Sequence, residues 1–273
     1  MRQIMEEINL EVPGITGAVL TGYIPEECLG PENKRKYPAV LVLPGGGYNG
    51  VSPTEKEPVA LEFAAAGIRS FTLKYHVLPY RFPVSLCEAL LAVEYIKRHA
   101  EELCIDSGNI SVCGFSAGGH LAGSVAAFWN RDFVKEVIGE RGEWTRVNKA
   151  ILCYAVLTGG KYAHEGSFQN LLGEQAASPG IRELLSIEKQ VTKDFPPTFL
   201  WHTADDEIVP VQNSLLMADA LLAHGIMTEL HIYPKGPHGL SLGNHLIHKE
   251  QPYGAAHGSS DWLKKAIDFI YKY

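Results

Sequence analysis

The stretch "SVCGFSAGGHLAGSVAAFW" (111–129) begins as an apolar strand and continues as a helix rich in small residues. The two halves meet at "GFSAG" (114–118), a GxSxG pattern with Ser116 at its centre. In the sharp turn of a nucleophile elbow, the residues two before and two after the serine crowd together and must lack side chains. Gly114 and Gly118 meet that demand. The pattern predicts a serine nucleophile, and its plain alternative is a helix N-cap serine in an ordinary turn.

A serine hydroxyl is a poor nucleophile without a base, so this interpretation requires an acid and a histidine further along the chain. "HTADDEIVP" (202–210) follows the apolar run "PTFLW" and places Asp205 and Asp206 on a loop at the carboxyl end of a strand. "PKGPHGL" (234–240) follows the next such run and carries His238. The 32 residues from Asp206 to His238 leave room for one helix and one strand.

The acid and the base have competitors. Neighbours on one loop point in different directions, and we favour Asp206 over Asp205 because it lies nearer the "IVP" run that enters the next helix. His245 and His248 could share a helical face and bind a metal, but no further ligand with suitable spacing accompanies them, so we expect neither metal nor cofactor. For the remaining histidines with a predictable location we favour structural roles: His99, His120, His202, His224 and His231.

Three consecutive glycines in "PGGGYNG" (44–50) directly follow the apolar run "YPAVLVL". The loop lacks the Lys-Ser/Thr ending of a phosphate-binding P-loop and the GxGxxG spacing of a dinucleotide site. If Ser116 is a nucleophile, its oxyanion needs two backbone donors. We expect the N–H of Ala117 as one and that of Gly46 or Gly47 as the other, with Tyr48 at the edge of the pocket.

The amino-acid composition limits the classes of protein to which the chain can belong. The 273 residues are 46% hydrophobic and 20% charged, which is typical of a globular protein, and we expect one domain over residues 1–273. The net charge of −7 argues against nucleic-acid binding, and no apolar run is long enough to span a membrane. The first 14 residues do not read as a signal peptide. Five scattered cysteines without a CxxC pair indicate reduced thiols in a cytoplasmic protein: Cys28, Cys87, Cys104, Cys113 and Cys153.

Apolar runs alternate with segments of helical period, which predicts a mostly parallel sheet with helices on both faces. The predicted strands are 15–23, 39–43, 68–75, 109–115, 149–156, 197–203 and 228–234. The predicted helices are 55–66, 84–103, 117–129, 210–224 and 260–271. Between them, residues 157–195 lack strong periodicity and are expected to form an irregular loop that could wall a site.

Together, "PGGGY", "GFSAGGH", "TADDEIVP" and "GPHG" resemble the α/β-hydrolase fold. The chain is most similar to the small carbohydrate-esterase-like branch, the bacterial acetyl esterases related to acetylxylan esterases, and the similarity covers nearly its whole length. The resemblance implies Ser116 as nucleophile, Asp206 as acid and His238 as base, with a small cap or none. Pro44 stands where esterases of the HGGG type carry histidine, a change that the smaller branch often shows.

The resemblance implies a serine hydrolase that removes short acyl groups, above all acetyl, from a sugar or xylo-oligosaccharide. The expected partner is therefore a small ester, and association of identical chains is possible. A non-enzymatic binding protein on the same fold would usually have lost one of the three residues or an oxyanion glycine, and here all are present. Two further interpretations, both enzymes, also stay open at this point. One is a lipase or thioesterase for longer acyl chains, which would want a larger apolar lid, and the other is a serine peptidase of the prolyl-oligopeptidase type.

Overall fold

The computed structural model of the chain describes residues 8–25, 35–245, 247 and 258–273. Eight strands of this described part form one sheet in the order β1-β2-β4-β3-β5-β6-β7-β8. They are β1 (Ile8–Val12), β2 (Ile15–Tyr23), β3 (Tyr37–Leu43), β4 (Arg69–Lys74), β5 (Ile105–Phe115), β6 (Lys149–Cys153), β7 (Thr198–Thr203) and β8 (Thr228–Tyr233). All seven predicted strands are confirmed, and their bounds agree at half of the ends and differ by one to four residues at the others.

The first strand, β1, was not predicted from the sequence. In β1, the apolar residues Ile8, Leu10 and Val12 alternate with polar ones, which is the period of a strand. The strand pairs antiparallel with β2 after a tight turn in which Gly14 has a φ of +79°. The pair β2–β4 is also antiparallel, whereas every later pair is parallel.

Helices connect the parallel strands. Those in the described residues are α1 (Glu57–Ala65), α2 (Val84–Arg98), α3 (Ala117–Phe128), α4 (Asp132–Ile138), α5 (Glu165–Leu172), α6 (Pro179–Leu184), α7 (Gln212–Ala223) and α8 (Trp262–Lys272). The five predicted helices are confirmed as α1, α2, α3, α7 and α8. Helix α2 ends five residues earlier than predicted, because the chain turns there so that the N–H of Ile105 reaches the carbonyl of Ala100 at 2.7 Å.

The prediction of an irregular loop over residues 157–195 was wrong. This segment contains α5, α6 and short 3₁₀ turns at Gly173–Ala177 and Ile187–Lys189. Helix α5 forms because Phe168, Leu171 and Leu172 make one apolar face at helical spacing, and all three side chains are buried. The pattern is only eight residues long and is preceded by glycines, which is why the sequence reads as a loop.

The predicted coverage of both sheet faces is confirmed. Along β3, Leu41 and Leu43 belong to one buried cluster and Val40 and Val42 to the other, since successive side chains point to opposite faces. The first cluster includes side chains of α2 and α3, and the second includes side chains of α1 and α8. Within the described residues, no helix has both the length and the apolar composition to cross a bilayer. The assignment of residues 1–273 to one domain stays a prediction.

Candidate active site

Ser116 lies at the junction of β5 and α3 in a strained backbone conformation. Its φ of 52° and ψ of −120° are rare for a residue with a side chain. The surrounding structure fixes this turn, because the Ser116 N–H donates to the carbonyl of Cys153 at 3.0 Å. In return the Ser116 carbonyl accepts from the N–H of Val156 at 3.0 Å. The junction is thus attached to the end of β6, and the serine is only 7% exposed.

The glycines around Ser116 are required by close packing. A Cβ on Gly114 would lie 2.1 Å from the carbonyl oxygen of Gly118, and a Cβ on Gly118 would lie 2.1 Å from that of Leu43. Real Cβ atoms do not approach backbone so closely. The crowding that the GxSxG pattern implies is therefore present at both glycines.

We expect Gly114→Ala to destabilise the fold by about 3 kcal/mol or more, since the Cβ would push β5 away from α3 in a tightly packed region. The matched control is Gly180→Ala in α6, where no atom lies within 4 Å of the added Cβ. It should change the free energy of unfolding by less than about 1 kcal/mol. Urea unfolding of both variants measures the difference, and equal stability of the two would contradict the packing argument.

The structure brings three of the predicted side chains into one hydrogen-bonded row. The Nε2 of His238 lies 2.8 Å from the Oγ of Ser116, and its Nδ1 lies 2.7 Å from the Oδ2 of Asp206. These residues follow β5, β7 and β8, whose carboxyl ends lie along one edge of the parallel sheet. The His238 side chain is 15% exposed and that of Asp206 is fully buried.

Asp206 is held by donors on all sides. Its Oδ1 accepts from the N–H groups of Ile208 and Val209, each at 2.9 Å. The Nε2 of His202 donates to the carbonyl of Val209 at 2.9 Å and also lies 3.3 Å from the Oδ2 of Asp206. Burial opposes its ionisation, but the bonds from His202, His238 and Val209 outweigh it and hold the pKa of Asp206 well below its ordinary value. The group is therefore a carboxylate throughout the neutral range.

Asp205 points elsewhere. Its Oδ1 accepts from the N–H of Gly236 at 2.8 Å, and its Oδ2 lies 3.6 Å from the ammonium of Lys235. Asp205 therefore braces the loop that carries His238, whereas Asp206 contacts the imidazole itself. Of the two neighbours, Asp206, which the sequence favours, is the one whose carboxylate lies against the imidazole.

The glycine loop (44–50) lies against the serine. A Cβ on Gly45 would come within 2.9 Å of the Ser116 Cβ, and a Cβ on Gly46 would lie 2.2 Å from the carbonyl oxygen of Gly50. Gly46 and Gly47 have φ values of +130° and +64°, a region that favours glycine. The Gly46 carbonyl accepts from Asn49 and Gly50, while no described residue accepts a hydrogen bond from the N–H of Gly46 or Gly47. Gly46 is exposed and Gly47 is partly buried, so both glycines lie at the surface of the loop.

Tyr48 does not edge the pocket as predicted. Its ring is 3% exposed, and its hydroxyl lies 2.8 Å from the Nδ1 of His120. The Nε2 of His120 in turn lies 2.9 Å from the carbonyl of Leu185. A buried tyrosine hydroxyl needs a polar partner, and His120 supplies it. Burial lowers the pKa of His120 to about 4, so this imidazole is a neutral support beneath the elbow.

The segment after β6 contacts the glycine loop through α5. The side-chain amide of Asn170 donates to the carbonyl of Gly47 at 2.8 Å, which fixes the orientation of that peptide. The Nδ1 of His164 caps α5 by accepting from the N–H of Ser167 at 3.3 Å. Residues 157–195 therefore form a wall beside the glycines, although as helices and not as a loop.

The sequence reading missed Glu55 and Tyr154, which lie directly behind the row of three. Glu55 is 3% exposed and accepts hydrogen bonds from Gly45 and Tyr154, while the Tyr154 ring packs edge-on against His238 at 5.1 Å. The signal for Glu55 was a carboxylate at the start of an apolar helix, which usually indicates an exposed first turn. Only the tertiary structure reveals its burial.

The other candidates have structural surroundings where they are described. His99 and His224 cap the ends of α2 and α7, and His231 lies within β8. The described cysteines are all buried: Cys87, Cys104, Cys113 and Cys153. His248 of the pair considered for metal binding, and Cys28, lie outside the described residues.

A strained serine between a strand and a helix, in a sheet of this strand order with a histidine and an aspartate at the same edge, defines an α/β hydrolase. Residues 28–221 match the BD-FAE family model, and the chain belongs to the BD-FAE family.

Proteins that are similar to this chain include a xylanase, an acetylxylan esterase and an acetyl ester-xyloside hydrolase. It is 38% identical to endo-1,4-beta-xylanase B of Butyrivibrio fibrisolvens over 77% of this chain and 33% of that protein. It is 26% identical to an acetylxylan esterase of Xylanibacter ruminicola over 87% of this chain and 47% of that protein. A solved acetyl ester-xyloside bifunctional hydrolase from Caldicellulosiruptor lactoaceticus superimposes with a TM-score of 0.80 at 37% identity, over 95% of this chain and 89% of that one. The chain thus spans a third to about half of these two curated relatives.

Proposed function

We propose that the protein is a serine-dependent carboxylic ester hydrolase with Ser116 as nucleophile, His238 as base and Asp206 as acid. The observation that supports this most directly is the hydrogen-bonded row from Ser116 Oγ through the His238 imidazole to Asp206 Oδ2, with 2.8 Å and 2.7 Å between heavy atoms. These are distances over which a proton passes directly from a hydroxyl to an imidazole.

In the first half of the proposed reaction, the Ser116 Oγ attacks the carbonyl carbon of the ester and His238 Nε2 takes the hydroxyl proton. The imidazolium that forms is stabilised by Asp206, whose lowered pKa keeps it ionised. His238 then donates the proton to the departing alkoxide, which leaves as the alcohol. The acyl group remains esterified to Ser116.

The negative oxygen of the tetrahedral intermediate needs donors that are already in place. We assign this role to the N–H of Ala117 at the first turn of α3, where the helix dipole adds to the effect, and to the N–H of Gly46 or Gly47. Loss of one such donor typically slows turnover about 10²- to 10³-fold. In the second half, His238 takes a proton from the water that attacks the acyl carbon. The bond between that carbon and Ser116 Oγ then breaks, the carboxylic acid leaves, and His238 returns the proton to Oγ.

The proposed substrate is a short acyl ester, acetyl above all, of a sugar or xylo-oligosaccharide. A cleft of about 400 Å³ adjoins His238, and Asp205, Glu207 and Lys235 contribute charged groups to its lining. Such a lining suits a hydroxylated substrate better than a long hydrocarbon chain. The names of the similar xylanase, acetylxylan esterase and acetyl ester-xyloside hydrolase support the same substrate class.

A chain-length series of p-nitrophenyl esters tests the acyl preference. We expect kcat/KM for the acetate to exceed that for the octanoate by about tenfold or more, because charged groups beside His238 disfavour the approach of a long hydrocarbon chain. Acetate release from acetylated xylo-oligosaccharides, measured alongside, tests the alcohol part. Faster hydrolysis of the octanoate would overturn the short-acyl assignment and favour a lipase or thioesterase.

A further inference from the structure

A buried carboxylate lies behind the glycine loop and is not used by the proposed mechanism. Glu55 ends the 3₁₀ turn Pro53–Glu55, ten residues after Gly45, and is 3% exposed. No lysine or arginine of the described ranges lies within ion-pair distance of it. Burying a charged group without a direct ion pair is costly, so its hydrogen bonds carry the compensation.

Those hydrogen bonds come from two parts of the site. The N–H of Gly45 donates to Oε2 at 2.8 Å, and the hydroxyl of Tyr154 donates to Oε1 at 2.7 Å. The Tyr154 oxygen already accepts from the N–H of Ser241 at 2.9 Å, so its own proton points at Glu55. With a donor aimed at each oxygen, the arrangement fits the ionised carboxylate and not the acid.

The same contacts join two loops that have separate places in the sequence. Gly45 belongs to the glycine loop, while Ser241 lies three residues after His238. The Ser241 hydroxyl also donates to the carbonyl of Thr54 at 2.6 Å, next to Glu55. Glu55 therefore ties the backbone expected to bind the oxyanion to the loop that carries the base.

The Glu55 carboxylate also interacts electrostatically with His238, the proposed base. The Tyr154 ring stands between them, 5.1 Å from the His238 ring centre, and a protonated His238 attracts the Glu55 charge. Other titratable or charged groups near His238 are Asp206, Asp205, Glu207, Lys235 and His164. Those near Glu55 are Tyr75, Cys153 and Tyr154.

The titration of Glu55 has a definite direction. Burial raises the pKa of the Glu55 carboxyl above its ordinary value, and the hydrogen bonds from Tyr154 and Gly45 oppose that rise. Because the raised pKa favours the neutral acid, the charge is present at high pH and is lost as the pH falls through that value. Loss of the Tyr154 bond would raise the pKa of Glu55 further.

We infer that Glu55 is a positioning residue that, as a carboxylate, fixes the oxyanion-binding glycine loop through Gly45 and stabilises the imidazolium of His238. The inference rests on the proposed function, since it gives Glu55 a part in the reaction of Ser116. It extends the site beyond the three residues in the row to a fourth residue, a buried carboxylate that reaches His238 through the Tyr154 ring.

The test uses the rate at which a fluorophosphonate labels Ser116 as a function of pH, together with kcat and KM for p-nitrophenyl acetate. Glu55→Gln keeps the shape and removes the charge. We expect kcat to fall about tenfold or more with KM changed less than about threefold, since the charge acts on the transition state. The acid limb of the labelling profile should move to lower pH by about half a unit or more, because the carboxyl at position 55, whose pKa burial raises, no longer takes up a proton in that range.

Tyr154→Phe is the paired variant and gives the opposite shift. It keeps the ring against His238 but removes the donor to Glu55, so the carboxylate takes up its proton at higher pH. The acid limb should therefore move to higher pH. Opposite shifts in the two variants are not expected from a general loosening of the site, and this pair keeps the inference testable even where one variant folds poorly.

The outcomes separate the two proposals. If the wild type is labelled at Ser116 and both variants keep its acid limb, the role of Glu55 is wrong while the serine hydrolase remains. A fall in kcat with an unmoved acid limb would reduce Glu55 to a purely structural residue and also overturn the inference. If the wild type is not labelled, the proposed function fails first, and the role of Glu55 fails with it.

Discussion

Replacing Ser116 with alanine should reduce ester turnover by about 10⁵-fold or more. The substitution removes the proposed nucleophile, the Oγ that lies 2.8 Å from His238 Nε2, and leaves the imidazole with no hydroxyl proton to accept. The remaining N–H donors can still bind a carbonyl oxygen, so a small residual rate above that in water is expected. Turnover of p-nitrophenyl acetate, corrected for its spontaneous hydrolysis, measures the loss.

The same variant tests the site of covalent attachment. A fluorophosphonate should raise the mass of the wild type by that of one bound probe molecule and should leave the mass of Ser116→Ala unchanged. Ser124→Ala is the matched control, because this serine lies two turns further along α3 and its hydroxyl only donates to the carbonyl of His120 at 2.8 Å. It should be labelled at the wild-type rate within about threefold. Equal labelling of Ser116→Ala and the wild type would remove Ser116 from the mechanism.

The part of the site that the sequence predicts well is the part governed by local backbone geometry. At Ser116 the turn needs glycines at fixed offsets, so the requirement is written in five consecutive letters. The Gly-rich loop and the loop of His238 could be placed because each follows an apolar run that becomes a strand of one sheet. The common edge of that sheet then brings together residues far apart in the chain.

The parts that could not be predicted depend on side-chain orientation and burial. Nothing in "TADDEI" tells which aspartate faces the imidazole, because that is decided by the N–H groups of Ile208 and Val209, which hold Asp206 inward. Tyr48 follows the glycines in sequence, yet its side chain is buried. Its backbone has a positive φ of 57°, and its hydroxyl is hydrogen-bonded to His120. Burial of Glu55 likewise follows from contacts 99 residues apart, with Tyr154.

Short helices and strands were not predicted where tertiary packing outweighs the local sequence pattern. Helix α5 has an apolar face of only three side chains, which is stable because it packs on the core and not because eight residues are a strong helix. Strand β1 owes its pairing to β2, with which it forms an antiparallel hairpin. In both cases the period was present in the sequence but too short to outweigh the neighbouring charges and glycines.

A comparison of Asp206→Asn with Asp205→Asn should separate the two neighbours by a large factor. We expect kcat/KM of Asp206→Asn to fall about 10³- to 10⁴-fold, because an amide neither stabilises the imidazolium nor selects the tautomer that leaves Nε2 free to accept the Ser116 proton. Asp205→Asn should cost far less, about tenfold or under, since an amide oxygen can still accept from the Gly236 N–H and the Asp205 side chain contacts Gly236 and Lys235 and not the imidazole.

The thermal stability of the variants gives an independent test of the roles of Asp205 and Asp206. The lowered pKa of Asp206 means that its carboxylate stabilises the folded state above the pKa of the unfolded chain, about 3.9, and that this stabilisation is lost as the pH falls further. Asp206→Asn should therefore unfold at a lower temperature than the wild type at pH 7, with the difference shrinking toward pH ~3. If Asp205→Asn instead showed the larger loss of turnover, the acid would have to be reassigned, and the 2.7 Å contact of Asp206 with His238 would be a structural hydrogen bond.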